Sequence, residues 1–272
     1  MINGERIQNA ADLYLGEPLD FLSNPKIFEQ IEKHQVLSDI CGKFDNPPIL
    51  FLYTHRLQQF ADKLHYFQNP FTLITHNSDV NLVDTNPLVI QILASPLLVR
   101  WWGQNLCFVH PKMHFLPIGL ANTQWEHGDL RNFADLPFRK TSDDIYLNFQ
   151  IYTNVEKRRP CVDALVSRGI KWLPMVTGRE HVQRLSNYRW CACPEGHGVD
   201  THRLWECFYV KCVPIVLKSP FIETLMHYTN NELPIHVIDS WWDFELPVYD
   251  ETKFINNKWL YLQDLFPLLK NS

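Results

Sequence analysis

The densest run of chemistry-bearing residues lies between Cys193 and Glu206, where the chain reads Cys193-Pro194-Glu195-Gly196-His197-Gly198-Val199-Asp200-Thr201-His202-Arg203-Leu204-Trp205-Glu206. A strand-like stretch ends at Pro194, a loop with two glycines turns, and a helix is expected from Asp200 or Thr201, either of which is a good N-cap. Glycine lets a backbone come close to a ligand, and a helix start offers unpaired N–H groups to an anion. Arg203 falls in the first helical turn, where a guanidinium can grip a diphosphate with two hydrogen bonds. Glu206 follows on the same face, so a ligand on Arg203 also reaches its carboxylate, which can accept from both vicinal hydroxyls of a ribose. The types and spacing suit a nucleoside diphosphate. The competing reading is a helix cap with a structural Arg203–Glu206 pair, as found on solvated faces. Against it, Leu204, Trp205, Cys207, Phe208, Tyr209 and Val210 make this helix apolar nearly all round, the pattern of a buried helix. Two charges at its entrance are costly unless they meet each other or a ligand.

The elements that must position this segment read as alternating short apolar runs and helical stretches. In the first half, Ile49 to Tyr53, Phe71 to Thr75, Leu97 to Trp102, Leu106 to Val109 and Met113 to Ile118 are strand candidates, with helices expected over Arg56 to Lys63 and Val89 to Leu93. A polar stretch from Asn122 to Ser142, broken by Pro137, marks a domain boundary and divides the chain into 1–135 and 136–272. Strands are then expected at Ile145 to Phe149, Ile170 to Leu173, Trp190 to Cys193, Val213 to Leu217 and Ile235 to Ile238. Helices are expected at Val155 to Ser167, Arg179 to Tyr188, Thr201 to Lys211 and Phe221 to Tyr228. In the tail, Trp259, Leu262, Leu265 and Phe266 give a helix over Lys253 to Leu269 one apolar face. The pattern predicts an α/β protein of two Rossmann-like domains facing across a cleft, with ligands at the carboxyl ends of the strands.

Composition narrows the class. The 272 residues are 46% apolar and 20% charged, enough for a sizeable core, which excludes a disordered chain. A formal charge of −5 argues against a general binder of nucleic acid or anionic membrane, while allowing a local basic pocket for one phosphorylated ligand. The start of the chain lacks a basic segment followed by an apolar run, and no stretch is apolar for long enough to span a bilayer. Together with seven cysteines, an odd number, this predicts a soluble, cytoplasmic protein with reduced thiols. Cys191, Cys193, His197, His202, Cys207 and Cys212 crowd one region, but Cys-x-Cys in a strand puts both thiols on one face and no Cys-x-x-Cys exists. Buried free cysteines are expected, and no metal site. Walker, Gly-x-Gly-x-x-Gly and Gly-x-Ser-x-Gly motifs are absent, which leaves ATP hydrolysis, nicotinamide redox chemistry and serine hydrolysis unsupported.

The run from Tyr188 through Cys193-Pro194, Gly196-His197-Gly198, Asp200, Arg203-Leu204-Trp205-Glu206 and Cys212-Val213-Pro214 to Val216 resembles the signature of exostosin-type glycosyltransferases. In that pattern a Pro and a Gly-rich loop precede an Asp, then Arg-x-Trp-Glu, then Cys-Val-Pro. The segment Phe115-Leu116-Pro117-Ile118-Gly119 through His127-Gly128 is similar to the linker of small, soluble relatives in large viruses and bacteria, which admits a virus-encoded protein acting inside a host cell. The resemblance implies a GT-B fold whose second domain holds a nucleotide-sugar donor, most simply UDP-linked (UDP-xylose, a UDP-hexose or a UDP-uronic acid). The acceptor is then a glycan or glycoprotein hydroxyl, the transfer inverts the anomeric centre, and no cofactor or metal is needed. It further implies that Arg203 contacts the donor diphosphate and Glu206 the ribose, with Asp200, Thr201 and the Glu195-Gly196-His197-Gly198 loop near the phosphates or the transferred sugar. A GDP-sugar donor and a non-catalytic carbohydrate- or nucleotide-binding module are the alternatives.

Inverting transfer needs a base for the acceptor hydroxyl, expected from the first half across the cleft. Asp79, in His76-Asn77-Ser78-Asp79 after the Phe71 to Thr75 run, is the first candidate, followed by His76 and His55; turn formation is the competing use of such loop residues. Thr153 and Arg158 follow the first strand of the second half and are candidates for further phosphate contacts, against a solvated helix start. His127 is placed at the border of the cleft. Trp125 and the pair Trp101-Trp102 are candidates for stacking on sugar rings, against ordinary core packing.

Overall fold

The computed structural model describes residues 1–16, 41–136, 140–254 and 258–265, together with the backbone of 28–30. Two all-parallel sheets organise the chain. The first has six strands, β1 (Leu13–Gly16), β2 (Phe28–Gln30), β3 (Ile49–Tyr53), β4 (Phe71–His76), β5 (Leu98–Gly103) and β6 (Met113–Phe115), in the order β2-β1-β3-β4-β5-β6. The second has four, β7 (Ser142–Tyr146), β8 (Tyr188–Ala192), β9 (Val213–Leu217) and β10 (His236–Ile238), in the order β10-β9-β8-β7. Each pair is joined in parallel register, Ile49 to Tyr53 against Thr72 to His76 for example. Every residue of β3 and β4 is buried, as in a parallel sheet covered on both faces.

Seven helices are described: α1 (Gly4–Ala10), α2 (Leu57–Lys63), α3 (Pro87–Leu93), α4 (Val155–Ser167), α5 (Gly178–Ser186), α6 (His202–Tyr209) and α7 (Pro220–Tyr228). Among the described residues no helix is long and apolar enough to cross a membrane. Several starts follow the capping rules: Asn86 accepts from Leu88 N–H ahead of Pro87 at the head of α3, and Ser219 accepts from Ile222 N–H ahead of Pro220 at the head of α7.

The two halves share one apolar core running from Ile2 to Leu265. At its centre Trp205 of α6 stacks on Phe115 of β6 at 6.1 Å, and Phe115 also meets Phe221 and Trp259, each at 6.0 Å. Tyr209 Oη accepts from the Ile2 N–H and donates to the Leu260 carbonyl, tying both ends of the described chain to α6. The last described residues therefore pack on β6 of the first sheet and on α6.

Three expected elements take other forms. Leu106 to Val109 is no strand; Leu106 makes a single bridge to Leu82, because Asn105, at φ 54, turns the chain immediately after β5. Ile170 to Leu173 likewise contributes only the bridge between Leu147 and Trp172. In the tail, short 3-10 turns at Glu251–Phe254 and Lys258–Leu260 stand where a continuous helix from Lys253 is expected, and helical backbone resumes at 262–265. Trp259 and Leu265 are buried as that pattern requires, while Phe266 lies outside the described residues.

Candidate functional site

The carboxyl edges of both sheets open on one cavity of about 660 Å³. The first half contributes Asp79 from the loop after β4, Ile118 from the segment after β6, and Glu126 with His127 from a 3-10 turn. The second half contributes the loop after β7, the 175–178 segment, the 193–201 loop and the start of α6. Of the site residues expected from sequence, Asp79, Arg158, Gly196, His197, Gly198, Asp200, Thr201, Arg203 and Glu206 all line it.

Two guanidiniums dominate the wall. Arg203 donates through Nε to Glu206 Oε2 at 3.0 Å and through Nη1 to the Asn148 carbonyl, and lies over the Tyr146 ring at 5.6 Å. Arg158 donates through Nε to the Glu195 carbonyl at 3.0 Å and through Nη1 to the Gln150 carbonyl at 2.8 Å, and stacks on Phe149 at 5.3 Å. Each arginine thus has two nitrogens fixed by protein, while its Nη2 meets no acceptor among the described residues. Burial, and then the charge of Arg203, pull Arg158 down to about 10. No acidic side chain among the described residues pairs with it.

Glu206 is 5% exposed and shared. Its Oε2 accepts from Arg203 and also from His181 Nε2 at 3.0 Å, and His181 Nδ1 stands 3.1 Å from Tyr146 Oη. An ionised carboxylate only accepts, so His181 donates from Nε2, and in the neutral ring Nδ1 accepts the Tyr146 hydroxyl. Burial opposes ionisation of Glu206, but His181 and Arg203 overcome it and hold the carboxyl well below its ordinary range. Burial likewise works against the charge on Arg203, yet Glu206 keeps it above the usual guanidinium value.

Asp200 serves the junction of the halves. Its Oδ2 accepts from the Ile118 N–H and its Oδ1 from Trp205 Nε1, both at 2.7 Å, while its own N–H donates to Asn105 Oδ1 at 3.0 Å. Burial pushes its carboxyl up to about 7 against these hydrogen bonds. With both oxygens occupied by protein donors, Asp200 is a strut, whereas sequence casts it as a ligand contact. Thr201 occupies the N-cap position of α6, but its side chain makes no capping bond, so the helix start stays open towards the cavity.

The two glycines work through close approach at ordinary negative φ. A Cβ on Gly196 would lie 2.9 Å from Arg158 Nη2, and one on Gly198 would lie 3.2 Å from Asn105 Nδ2 and 3.3 Å from Asp79 Oδ1. Asn105 in turn donates to the Ser78 carbonyl at 2.8 Å and so holds the loop that carries Asp79.

His76 does not reach the cavity. It is fully buried as the last residue of β4, with Nδ1 at 2.8 Å from the Asn77 side chain and Nε2 at 3.0 Å from the Pro117 carbonyl. Burial lowers it to about 4, and with both nitrogens engaged it cannot take a substrate proton. His55 is exposed and lies off the cavity wall. Trp101 and Trp102 are core residues, the first bonded to Thr75 Oγ1 at 2.8 Å and the second stacked on His114 at 4.7 Å. Trp125, 56% exposed, stacks on His127 at 6.4 Å beside the cavity. Thr153 lines the cavity and its hydroxyl donates to the Gln150 carbonyl. Cys191, Cys193 and Cys207 bring their sulfurs within 4.8 Å of one another, and burial pushes all three thiols up, which keeps them protonated.

Several participants escaped the sequence reading. His181, Tyr146, Asn148 and Asn105 are single polar residues in otherwise apolar or loop surroundings and carry no local signature. A scan against protein-family models finds no match to this chain, and a search of curated proteins finds no relative.

Proposed function

We propose that this chain is a glycosyltransferase of the GT-B arrangement that uses a nucleotide sugar, most simply a UDP-sugar, and passes the sugar to a glycan hydroxyl. The observation that carries this reading is the pair of guanidiniums on one cavity wall, each fixed at two nitrogens and each keeping Nη2 without an acceptor among the described residues. Half-buried cations close enough to repel each other call for an anion, and two forks on one wall beside an uncapped helix start match a diphosphate. The likeness of the Tyr188 to Val216 run to the exostosin signature supports the same donor.

In this reading Arg158, Arg203 and the first N–H groups of α6 hold the diphosphate and stabilise the charge that grows on it as the sugar leaves. Glu206 Oε1, which forms no hydrogen bond among the described residues, accepts from the ribose hydroxyls, while Arg203 and His181 keep the carboxylate ionised and oriented. The acceptor enters from the side of Asp79, Glu126 and His127. Asp79, the first base candidate from sequence, lines the same cavity beside Gly198 of the Gly-rich loop.

Release of UDP from UDP-glucose, UDP-galactose, UDP-N-acetylglucosamine, UDP-xylose and UDP-glucuronic acid, with GDP-mannose alongside, tests the proposal. Turnover of one donor by the wild type and its loss in Arg203→Lys support it. Tight UDP binding with no turnover of any donor favours a nucleotide-binding module instead.

A further inference from the structure

Four imidazoles line the cavity: those of His127, His181, His197 and His202. His181 is engaged at both nitrogens, and among the described residues no hydrogen bond fixes the ring of His127 or His197. His202 alone has one nitrogen anchored and the other open. It is the first residue of α6, and its Nδ1 stands 2.8 Å from the carbonyl oxygen of Gly119. A carbonyl only accepts, so Nδ1 carries the proton and Nε2 keeps its lone pair. Nε2 has no hydrogen-bond partner among the described residues, nor is it sealed from the cavity.

The anchor itself is rigid. Gly119 sits at φ +66, where a Cβ would fall 2.4 Å from the Ile2 carbonyl oxygen, and the next residue, Leu120, donates to that carbonyl at 2.9 Å. The tautomer of His202 is therefore set by a fixed point of the first half.

The charges around the ring are also arranged for proton transfer. Burial, chiefly, holds His202 below its ordinary value, so the ring is neutral at pH 7; His127 acts in the same direction, while Glu206 and Asp79 act in the other. His76 lies behind it, neutral, and Arg203 is the next residue on the helix. Asp79 lines the same cavity from the loop after β4, and its charge favours the protonated ring.

We propose that His202 Nε2 is the base that takes the acceptor proton, with Asp79 as the charge that supports it, an assignment that rests on the nucleotide-sugar reading above. The acceptor oxygen bonds to the anomeric carbon as its proton passes to Nε2. The bond from that carbon to the β-phosphate oxygen breaks, and the nucleoside diphosphate leaves with the electron pair. The imidazolium then returns its proton to solvent. An imidazole is a better proton acceptor near neutral pH than a carboxylate, which is why Asp79 takes the supporting part.

The test uses His202→Asn, whose amide can still donate to the Gly119 carbonyl but has nothing in place of Nε2, alongside Asp79→Asn. UDP binding is followed by calorimetry and UDP release from the donor panel as a function of pH. His202→Asn is expected to keep UDP affinity while kcat falls on the order of 100-fold to 10,000-fold, the usual range for a general base. The wild-type rate should rise with pH through a limb centred below about 6.5, the ordinary imidazole value. That limb should vanish in His202→Asn and move to lower pH in Asp79→Asn, because removing the negative charge lowers the affinity of the ring for its proton. A His202→Asn protein that retains both kcat and the acid limb overturns the assignment alone. A wild type that binds UDP but releases none from any donor overturns transfer and this assignment together.

Discussion

Arg158 and Arg203 share one cavity wall, yet only Arg203 has a carboxylate: Glu206 meets its Nε at 3.0 Å, while Arg158 bonds backbone carbonyls alone. A half-buried cation beside a second cation, with no acidic side chain paired to it among the described residues, marks where a ligand's negative charge belongs. Arg158→Met should therefore leave the unliganded protein within about 1–2 kcal/mol of wild type, since relief of repulsion offsets the lost hydrogen bonds. The same change should weaken UDP roughly 10-fold to 100-fold, the worth of a charge-assisted hydrogen bond. Chemical denaturation with and without UDP separates the two effects.

Gly196→Ala tests the same contact without removing a charge. The added methyl would stand 2.9 Å from Arg158 Nη2, and the guanidinium, the far end of a flexible side chain, must move aside. Stability should change by less than about 1 kcal/mol, since φ here is not positive and alanine is tolerated. UDP affinity should nevertheless fall, by roughly 10-fold if one charged hydrogen bond is lost. Calorimetric titration of this variant decides it.

The ion-pair cluster around Glu206 predicts an acid limb of stability. Because its folded-state carboxyl is held below the unfolded value, its contribution is fully present above the unfolded value, about 4.3, and drains away as pH falls towards the folded one. Glu206→Gln should be less stable than wild type at pH 7 and converge on it in acid. Thermal midpoints between about pH 3 and pH 7 read this directly.

Asp200 has the opposite sign. Its folded carboxyl is raised to about 7, so its contribution is complete below the unfolded value and is lost as pH rises through the folded one. Asp200→Ala also strips acceptors from the Ile118 N–H and Trp205 Nε1, each left buried at a cost of about 1–3 kcal/mol. The variant should be destabilised at all pH values, and by more at pH 5 than at pH 8. Denaturant titrations at pH 5 and pH 8 test both statements.

Much of this site was legible because it is local. Arg203, Glu206 and the glycine loop fall within one strand-loop-helix segment, where spacing alone puts them on one face. What sequence could not supply came from distant chain: His181 reaches Glu206 across 25 positions, Arg203 reaches the Asn148 carbonyl across 55, and Asn105 reaches Asp200 across 95. His76 misled for a different reason. β4 runs one residue further than its apolar pattern, so the histidine closes the strand inside the protein and the turn begins at Asn77, at φ 54. Trp101 and Trp102 offer sugar stacking or core packing in the sequence; they fall in the half of β5 that the sheet covers on both faces, so adjacent residues are both buried there, while Val99 nearer the strand start is exposed.

The central claim is that the two arginines hold a diphosphate, and calorimetric titration of the wild type with uridine, UMP and UDP tests it most directly. The account predicts that affinity rises with each phosphate, that UDP binds at least about 100-fold tighter than uridine, as two charge-assisted contacts require, and that Arg158→Met removes most of the gain. Equal affinity for uridine and UDP, or no binding of either, would contradict it.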